Sequence, residues 1–165
     1  MPASEVFVYT MNKIGSVGAW SRYLFPFPID VFTQLGDDLY IRSGDDVLRV
    51  SEDEVTDFAG DVREEPFIGT VWWPWLDMGR AGVDKVTYGF DMVGHGEASI
   101  EFGYNQASPG VFTTPFVIPA DTVPGQIIPM EVMAPSFSVR VTYAGGEEWE
   151  LQALNVYLND MSMGA

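Results

Sequence analysis

The chain has 165 residues and no cysteine, and its 24 acidic against 8 basic side chains give a net charge of −16. This charge opposes direct binding to nucleic acid or to an anionic membrane surface, because both need Lys and Arg. The lack of cysteine excludes disulfides and thiolate metal sites. Hydrophobic residues make up 47% of the chain. Length and composition together predict one domain, or one domain plus an appendage, with its own core.

The sequence carries no targeting pattern. Its first ten residues, MPASEVFVYT, lack a basic segment followed by a long apolar one, so we expect no secretory signal. No run of eighteen apolar residues occurs, so we expect no transmembrane helix and no membrane partner.

The first third of the chain is rich in strand-forming residues. EVFVYTM begins at Glu5 and is β-branched and aromatic, and a Trp- and Pro-rich region follows over 15–36. LYIRSGDDVLRV, over 39–50, predicts a hairpin with a tight turn at Ser43 to Asp46. These patterns predict about four short strands. We therefore expect an N-terminal β-meander over 1–58 that resembles one blade of a propeller.

The most acidic stretch, SEDEVTDFAGDVREE, runs over 51–65. Ser51 and Glu54 have the spacing of a capping box, so a single helical turn is one interpretation. An exposed linker is the interpretation we favour. We place the linker at 59–66, between the meander and a second domain over 67–165.

The second domain alternates apolar and polar residues. ASIEFGY over 98–104 and FSVRVTY over 137–143 each have the two-residue period of half-buried strands. Six prolines over 108–135 indicate an extended excursion with edge segments. The apolar parity of the last strand changes near Ala153, which indicates a β-bulge there or a strand covered on both faces. The sequence predicts an all-β protein whose second domain is an antiparallel β-sandwich, jelly-roll-like, over 67–165.

The residues that could support catalysis are few. His95 lies between two glycines, which is typical of a turn, and no second His or Cys exists to complete a site. Acidic pairs such as Asp45–Asp46 are typical of solvated turns. A glycosidase pair or a calcium loop is the alternative, but the alternating spacing of a calcium loop is missing. No nucleophile elbow or phosphate loop occurs. We expect no enzyme activity, no metal and no cofactor.

Aromatic residues are the remaining feature, and they are most concentrated in VWWPWLDMG. Trp72 and Trp73 are adjacent on a predicted strand, so their side chains point to opposite faces and at least one leaves its own sheet's core. A partner surface, a second layer of this chain and a sugar ligand are all open as its neighbour. The aromatic residues near the N-terminus exceed what a small meander can bury. The predicted interface residues are Trp20, Tyr23, Phe25, Phe27, Trp72, Trp73 and Trp75.

Several segments in order carry a family resemblance. They are GAWSRYLFPFPIDVFTQLGDDLYIRSGDDVLRV, WPWLDMGRAGVDKVTYGFDMVGHG, FGYNQ, FTTPFVIPADTVPGQIIPM and ELQALNVYLND. Together they resemble the C-terminal part of tail proteins of short-tailed bacteriophages (podoviruses), known as nozzle, tail accessory or packaged-DNA stabilisation proteins. The resemblance implies a virion structural protein in an oligomeric, commonly six-fold ring that extends the DNA channel and retains the packaged genome. It also implies partners among the adaptor, nozzle, spike or fibre proteins of the tail.

This sequence departs from that family in length. Family members are several times longer, and residues 1–51 cannot build a whole propeller. The chain is therefore either one product of a split gene that completes a partner's fold or a stand-alone tail component. The alternative from another class is a non-catalytic carbohydrate-binding β-sandwich module, with Trp75 in the sugar site.

Overall fold

We describe the chain from a computed structural model, which covers residues 4–10, 19–51, 54, 56–58, 61–66, 68–119, 121–144 and 147–160. The described residues form strands and turns and no helix, and every strand pairing is antiparallel. The all-β prediction is confirmed. The chain divides into two compact units, Met1–Glu54 and Val55–Ala165.

The N-terminal unit contains two separate sheets. A two-stranded sheet pairs β1 with β2, and a three-stranded meander has the order β3-β4-β5. Two-residue turns join the strands of the meander, and the first turn residue, Gly36 or Gly44, has a φ of 65° or 60°. A positive φ at the first turn position only is the type II′ hairpin that suits glycine. The predicted hairpin around Gly44 is confirmed. The strands are β1 Ser4–Thr10, β2 Ala19–Phe25, β3 Val31–Leu35, β4 Asp38–Ser43 and β5 Asp46–Val50.

A short ladder lies in the acidic region. β6, Thr56–Asp57, pairs with β7, Glu65–Pro66. Phe58 between them has a φ of 56°, the left-handed region that a non-glycine residue rarely adopts. The segment predicted as a linker, 59–66, therefore contains one strand of this ladder, and its residues 59 and 60 lie outside the described part.

The C-terminal unit has two further sheets. One has the strand order β11-β10-β13-β8 and the other the order β12-β9-β14. The connection after β9 crosses from one sheet to the other through Gly96, whose φ is 84°. The strands are β8 Ile68–Leu76, β9 Lys85–His95, β10 Ala98–Gly103, β11 Phe116–Ile118, β12 Val132–Ala134, β13 Phe137–Ala144 and β14 Glu150–Asp160.

The two sheets of the C-terminal unit share one hydrophobic core. Phe90 on β9 lies 5.0 Å from Phe102 on β10, measured between ring centroids, and Phe116 packs edge-on against both rings. Alternation along β10 and β13 directs Ile100 and Phe102, and Val139 and Val141, to this core, as the sequence predicts. The buried members of this core are Phe90, Met92, Ala98, Ile100, Phe102, Ile118, Met130, Val139 and Val141.

The last strand carries the predicted β-bulge. Leu151 pairs with Gly94 and Ala153 with Val93, so Gln152 is the extra residue. The bulge changes the parity of the strand, and Leu151 and Leu154 therefore both pack against the core. The choice that the sequence leaves open is thus decided in favour of the bulge.

The proline-rich excursion supplies edge strands, as predicted. β11 lies at the edge of the four-stranded sheet and β12 at the edge of the three-stranded sheet. Between them, isolated bridges join Ile128 to Phe90 and Thr122 to Gly94. The segment thus follows the sheets while its prolines avoid the central ladder positions.

Candidate functional site

The two-stranded sheet of the N-terminal unit exposes apolar side chains on both of its faces. Phe7 and Leu24 share one face and are 61% and 62% exposed. Val8 and Tyr23 are exposed on the opposite face. A lone hairpin is marginally stable in water, and apolar residues on both faces normally need cover on both.

The three-stranded meander also exposes apolar side chains on both of its faces. Its register places Val31 and Val47 on one face and Phe32, Leu39 and Val50 on the other, and all five side chains are exposed. Most apolar side chains described in this unit are thus in contact with solvent. The exception is Ile41, which is fully buried.

The predicted interface residues of this unit lie along β2 and the segment after it. Tyr23 is exposed, Phe25 and Phe27 are half-buried, and their rings follow one another at 6.4 and 5.5 Å. Trp20 lies in β2, but its side chain is outside the described part of the chain. The structure therefore brings three of the predicted residues into one aromatic row.

A second aromatic group lies on the outer face of the four-stranded sheet. The Trp72 indole N–H donates to Ser138 Oγ at 2.7 Å, and its ring meets Phe112 edge-on at 5.9 Å. The Arg140 guanidinium lies 4.2 Å from the Phe112 centroid and forms an ion pair with Glu101 at 2.8 Å. These contacts hold Trp72 in one orientation although 57% of the residue is exposed.

The three tryptophans of β8 occupy three different environments. Trp72 pairs with Arg140 on the outer face and Trp73 with Val139 on the core face, so the predicted divergence of their side chains is confirmed. A register shift follows, with Leu76 opposite Phe137. Two residues, Pro74 and Trp75, therefore lie opposite Ser138 alone, so Trp75 does not share the core face of Trp73.

Trp75 borders a cleft at the end of β8. The cleft has a volume of about 610 Å³ and is formed by the loop after β8 together with Gln106, Pro135 and Ser136. In this loop Met78 has a φ of 52°, and Asp77 Oδ1 accepts the Gly79 N–H at 2.9 Å. The cleft combines an aromatic ring with a carboxylate, an amide and a hydroxyl, which are groups that small-molecule sites use.

The buried Lys85 fastens the same loop to the sheet. Its Nζ donates to the carbonyl oxygens of Arg80, Val83 and Pro135 at 2.7, 2.8 and 2.9 Å. All three ammonium hydrogens thus have acceptors, which makes burial of the charge tolerable. This burial was not predicted from the sequence, where its signal is a lysine at the start of an apolar strand.

Asp91 is a second buried charge that the sequence analysis missed. Its carboxylate accepts from Asn155 Nδ2 at 2.6 Å, Tyr157 OH at 2.7 Å and the Gly125 N–H at 2.7 Å. Burial alone would raise the pKa of Asp91, but these hydrogen bonds outweigh burial and hold the pKa below its usual range. The Asp91 carboxylate in turn raises the pKa of Tyr157. The carboxylate joins β9, β14 and the 119–128 segment, so its role here is structural.

His95 is the last residue of β9, at the start of the Gly96 connection. Its Nδ1 contacts Asp121 Oδ1, and both side chains are exposed. Among the described residues, no group of three or more His, Asp or Glu side chains is placed to hold a metal ion. The described part of the chain also has no helix of the length and apolarity needed to cross a bilayer.

Comparison of the chain with family models, with curated proteins and with solved structures gives no match. The resemblance to phage tail proteins therefore stays a prediction from the sequence.

Proposed function

We propose that this chain is a structural protein of a short-tailed phage tail, in the nozzle or tail accessory ring, where it helps form the channel and retain packaged DNA. The observation that carries the proposal is the uncovered N-terminal unit. Its two small sheets expose Phe7, Tyr23 and Leu24 together with most of the meander's apolar side chains. Such a unit fits a role in which neighbouring subunits supply the missing cover.

A folded domain needs apolar area removed from water to offset the conformational entropy that its chain loses. In the N-terminal unit most described apolar side chains keep solvent contact. Aromatic residues with Met and Arg are also the types enriched at the cores of protein interfaces. We therefore assign the row Tyr23, Phe25 and Phe27, with Trp20, to contact with other tail proteins, and Trp72 to a second contact.

The finer architecture belongs to the same proposal. We assign the two sheets around Phe90 and Phe102 to a jelly-roll-like β-sandwich. We assign the β3-β4-β5 meander to a partial propeller blade, which a strand from a longer partner or from a neighbouring copy would complete. The core shared by the two sheets supports the first assignment, and the antiparallel order of three consecutive strands supports the second.

The net charge fits the proposed position beside a DNA channel. A chain with a net charge of −16 repels DNA, so DNA can slide past it without binding. We expect no complex between the purified chain and duplex DNA at physiological salt. A salt-sensitive complex of about micromolar affinity or tighter would contradict this part of the proposal.

The assembly test is light-scattering mass, measured for the chain alone and mixed with a longer tail protein from the same source. We expect a defined multimer, with six copies as the leading number, or stoichiometric capture by the longer protein. Tyr23→Asp should abolish the association, because it places a charge in the exposed aromatic row assigned to the contact. Val117→Asp, a change at a similarly exposed residue of the C-terminal unit, is the matched control and should leave the association intact. A stable monomer that captures no tail protein would overturn the proposal.

A further inference from the structure

We propose that the cleft beside Trp75 is a binding site for a neutral saccharide. The site lies wholly within the C-terminal unit and does not depend on the uncovered sheets of the N-terminal unit. The proposal goes beyond a structural role, since it gives this unit a ligand of its own. It rests on the shape of the cleft, its chemical groups and its rigidity.

The shape suits a small ligand. The volume of about 610 Å³ lies within the range of ligand-binding clefts in proteins, roughly 300–1,000 Å³. Trp75 is half-buried, and the far end of its ring is fixed at Gly103, where an added Cβ would lie 3.3 Å from Trp75 Cη2. Gly103 thus leaves space that the indole fills. A fixed indole presents a flat apolar surface, which the C–H face of a pyranose ring can cover.

The polar groups that line the cleft can form hydrogen bonds with the hydroxyls of a sugar. Asp77 uses Oδ1 on the Gly79 N–H, which leaves Oδ2 to accept from a ligand. The Ser136 hydroxyl donates to Gln106 Oε1 at 3.5 Å, the outer limit of a hydrogen bond, and the Gln106 amide nitrogen adds two hydrogen-bond donors to the lining of the cleft. A carboxylate acceptor, an amide donor and a hydroxyl around one aromatic ring match the alternating donors and acceptors of a sugar edge.

The loop that closes the cleft is held in place before any ligand arrives. Met78, Gly79 and Gly82 have φ of 52°, 77° and 71°. The Lys85 ammonium secures the carbonyls of Arg80, Val83 and Pro135 on both sides of the cleft. A loop that is already ordered loses little conformational entropy on binding, which favours affinity for a small polar ligand.

Charge selects the class of saccharide. Among the described residues that line the cleft, none is Lys or Arg, and Asp77 is acidic. The whole chain is also strongly acidic. Sialylated, sulfated and phosphorylated sugars are therefore repelled, and neutral hexose or N-acetylhexosamine oligosaccharides are the class that fits.

The test uses the full-length chain on an array of neutral and acidic oligosaccharides, followed by calorimetric titration with the best neutral binder. We expect binding to neutral glycans only. Trp75→Ala should weaken it by about tenfold or more, and Asp77→Asn by about threefold to tenfold. Tyr88→Ala removes an exposed aromatic ring from the other sheet and should leave the affinity unchanged.

Two results would overturn the proposal. One is a folded wild-type chain that binds no neutral glycan at millimolar concentration. The other is binding that survives both Trp75→Ala and Asp77→Asn; the second variant keeps the Gly79 contact, so it decides the matter if the first fails to fold. Glycan binding and capture by a tail protein are separate measurements, and the variants that decide them change different units, so either proposal can fail while the other stands.

Discussion

The two units of this chain reach their folds by different physical means. In the C-terminal unit, side chains from two sheets remove one another from water, and Phe90 and Phe102 are fully buried. In the N-terminal unit, the strands pair in regular register but most apolar side chains remain exposed. Backbone pairing alone therefore does not remove enough apolar surface from water to offset the conformational entropy that the chain loses on folding. The difference teaches that the C-terminal unit has a hydrophobic core of its own, whereas the N-terminal unit buries few of its described apolar side chains.

The largest difference in stability is expected when one phenylalanine of each unit is replaced by alanine. Phe102→Ala should lower the free energy of unfolding by about 3–5 kcal/mol, because it leaves a cavity among Phe90, Phe116 and their neighbours. Phe7→Ala should change the stability of the free chain by less than about 0.5 kcal/mol, because the ring is already in water. Denaturant titration measures both. Equal losses of stability for the two variants would mean that Phe7 is covered in the free chain. The two units would then not differ in burial.

The next largest difference in stability is expected when a polar contact is removed from each unit. Asp91→Ala leaves the donors of Gly125, Asn155 and Tyr157 without their buried acceptor, which should cost about 3 kcal/mol. Arg22→Ala breaks the exposed ion pair with Glu5 in the N-terminal unit and should cost less than about 1 kcal/mol. The same titration measures these two variants. A larger loss of stability for Arg22→Ala would contradict the view that the buried contacts of Asp91 contribute more than the exposed ion pair of Arg22.

A smaller effect concerns the turns of the meander. Gly44→Val puts a β-branched side chain at a φ of 60°, which should destabilise the hairpin by about 1–2 kcal/mol. Asp45→Val, at the next position of the same turn, is the control and should cost less, since Asp45 does not have a positive φ. Melting temperature reports the difference. An unchanged melting temperature for Gly44→Val would count against the turn assignment.

The smallest effect is a pH dependence. The folded pKa of Asp91 lies below the unfolded value, so the stability gained from its ionised form is complete above about pH 4 and declines as the pH falls through the folded pKa. Asp91→Asn keeps the shape and removes this ionisation. The stability difference between wild type and Asp91→Asn should therefore stay constant from pH 7 to about 5 and narrow below about 4. A difference that widens on acidification would show that the pKa is raised.

Much of the strand pattern could be predicted, because alternation and turn chemistry are local properties. The change in apolar parity near Ala153 predicted a bulge, which the structure has at Gln152, and Gly44 predicted its hairpin. The Gly36 turn was not predicted separately, although it is also a glycine followed by two aspartates.

The candidate site could be predicted only in part. VWWPWLDMG identified Trp75, but nothing local indicates that Gln106 and Ser136 meet it, since they lie on distant parts of the chain. Asp91 and Lys85 appear as charges within strand sequences, and only the tertiary structure supplies the acceptors and donors that make their burial tolerable. Periodicity describes which face a residue occupies and says nothing of what lies opposite.

The burial of Lys85 has a practical consequence for chemical labelling. The chain has two lysines, Lys13 and Lys85, and the Lys85 ammonium is buried and held by three carbonyls. An amine-reactive ester should therefore leave Lys85 unmodified while the C-terminal unit stays folded, and should react with it once that unit opens. Mass spectrometry of the labelled peptide around residue 85 would then report how often this unit opens.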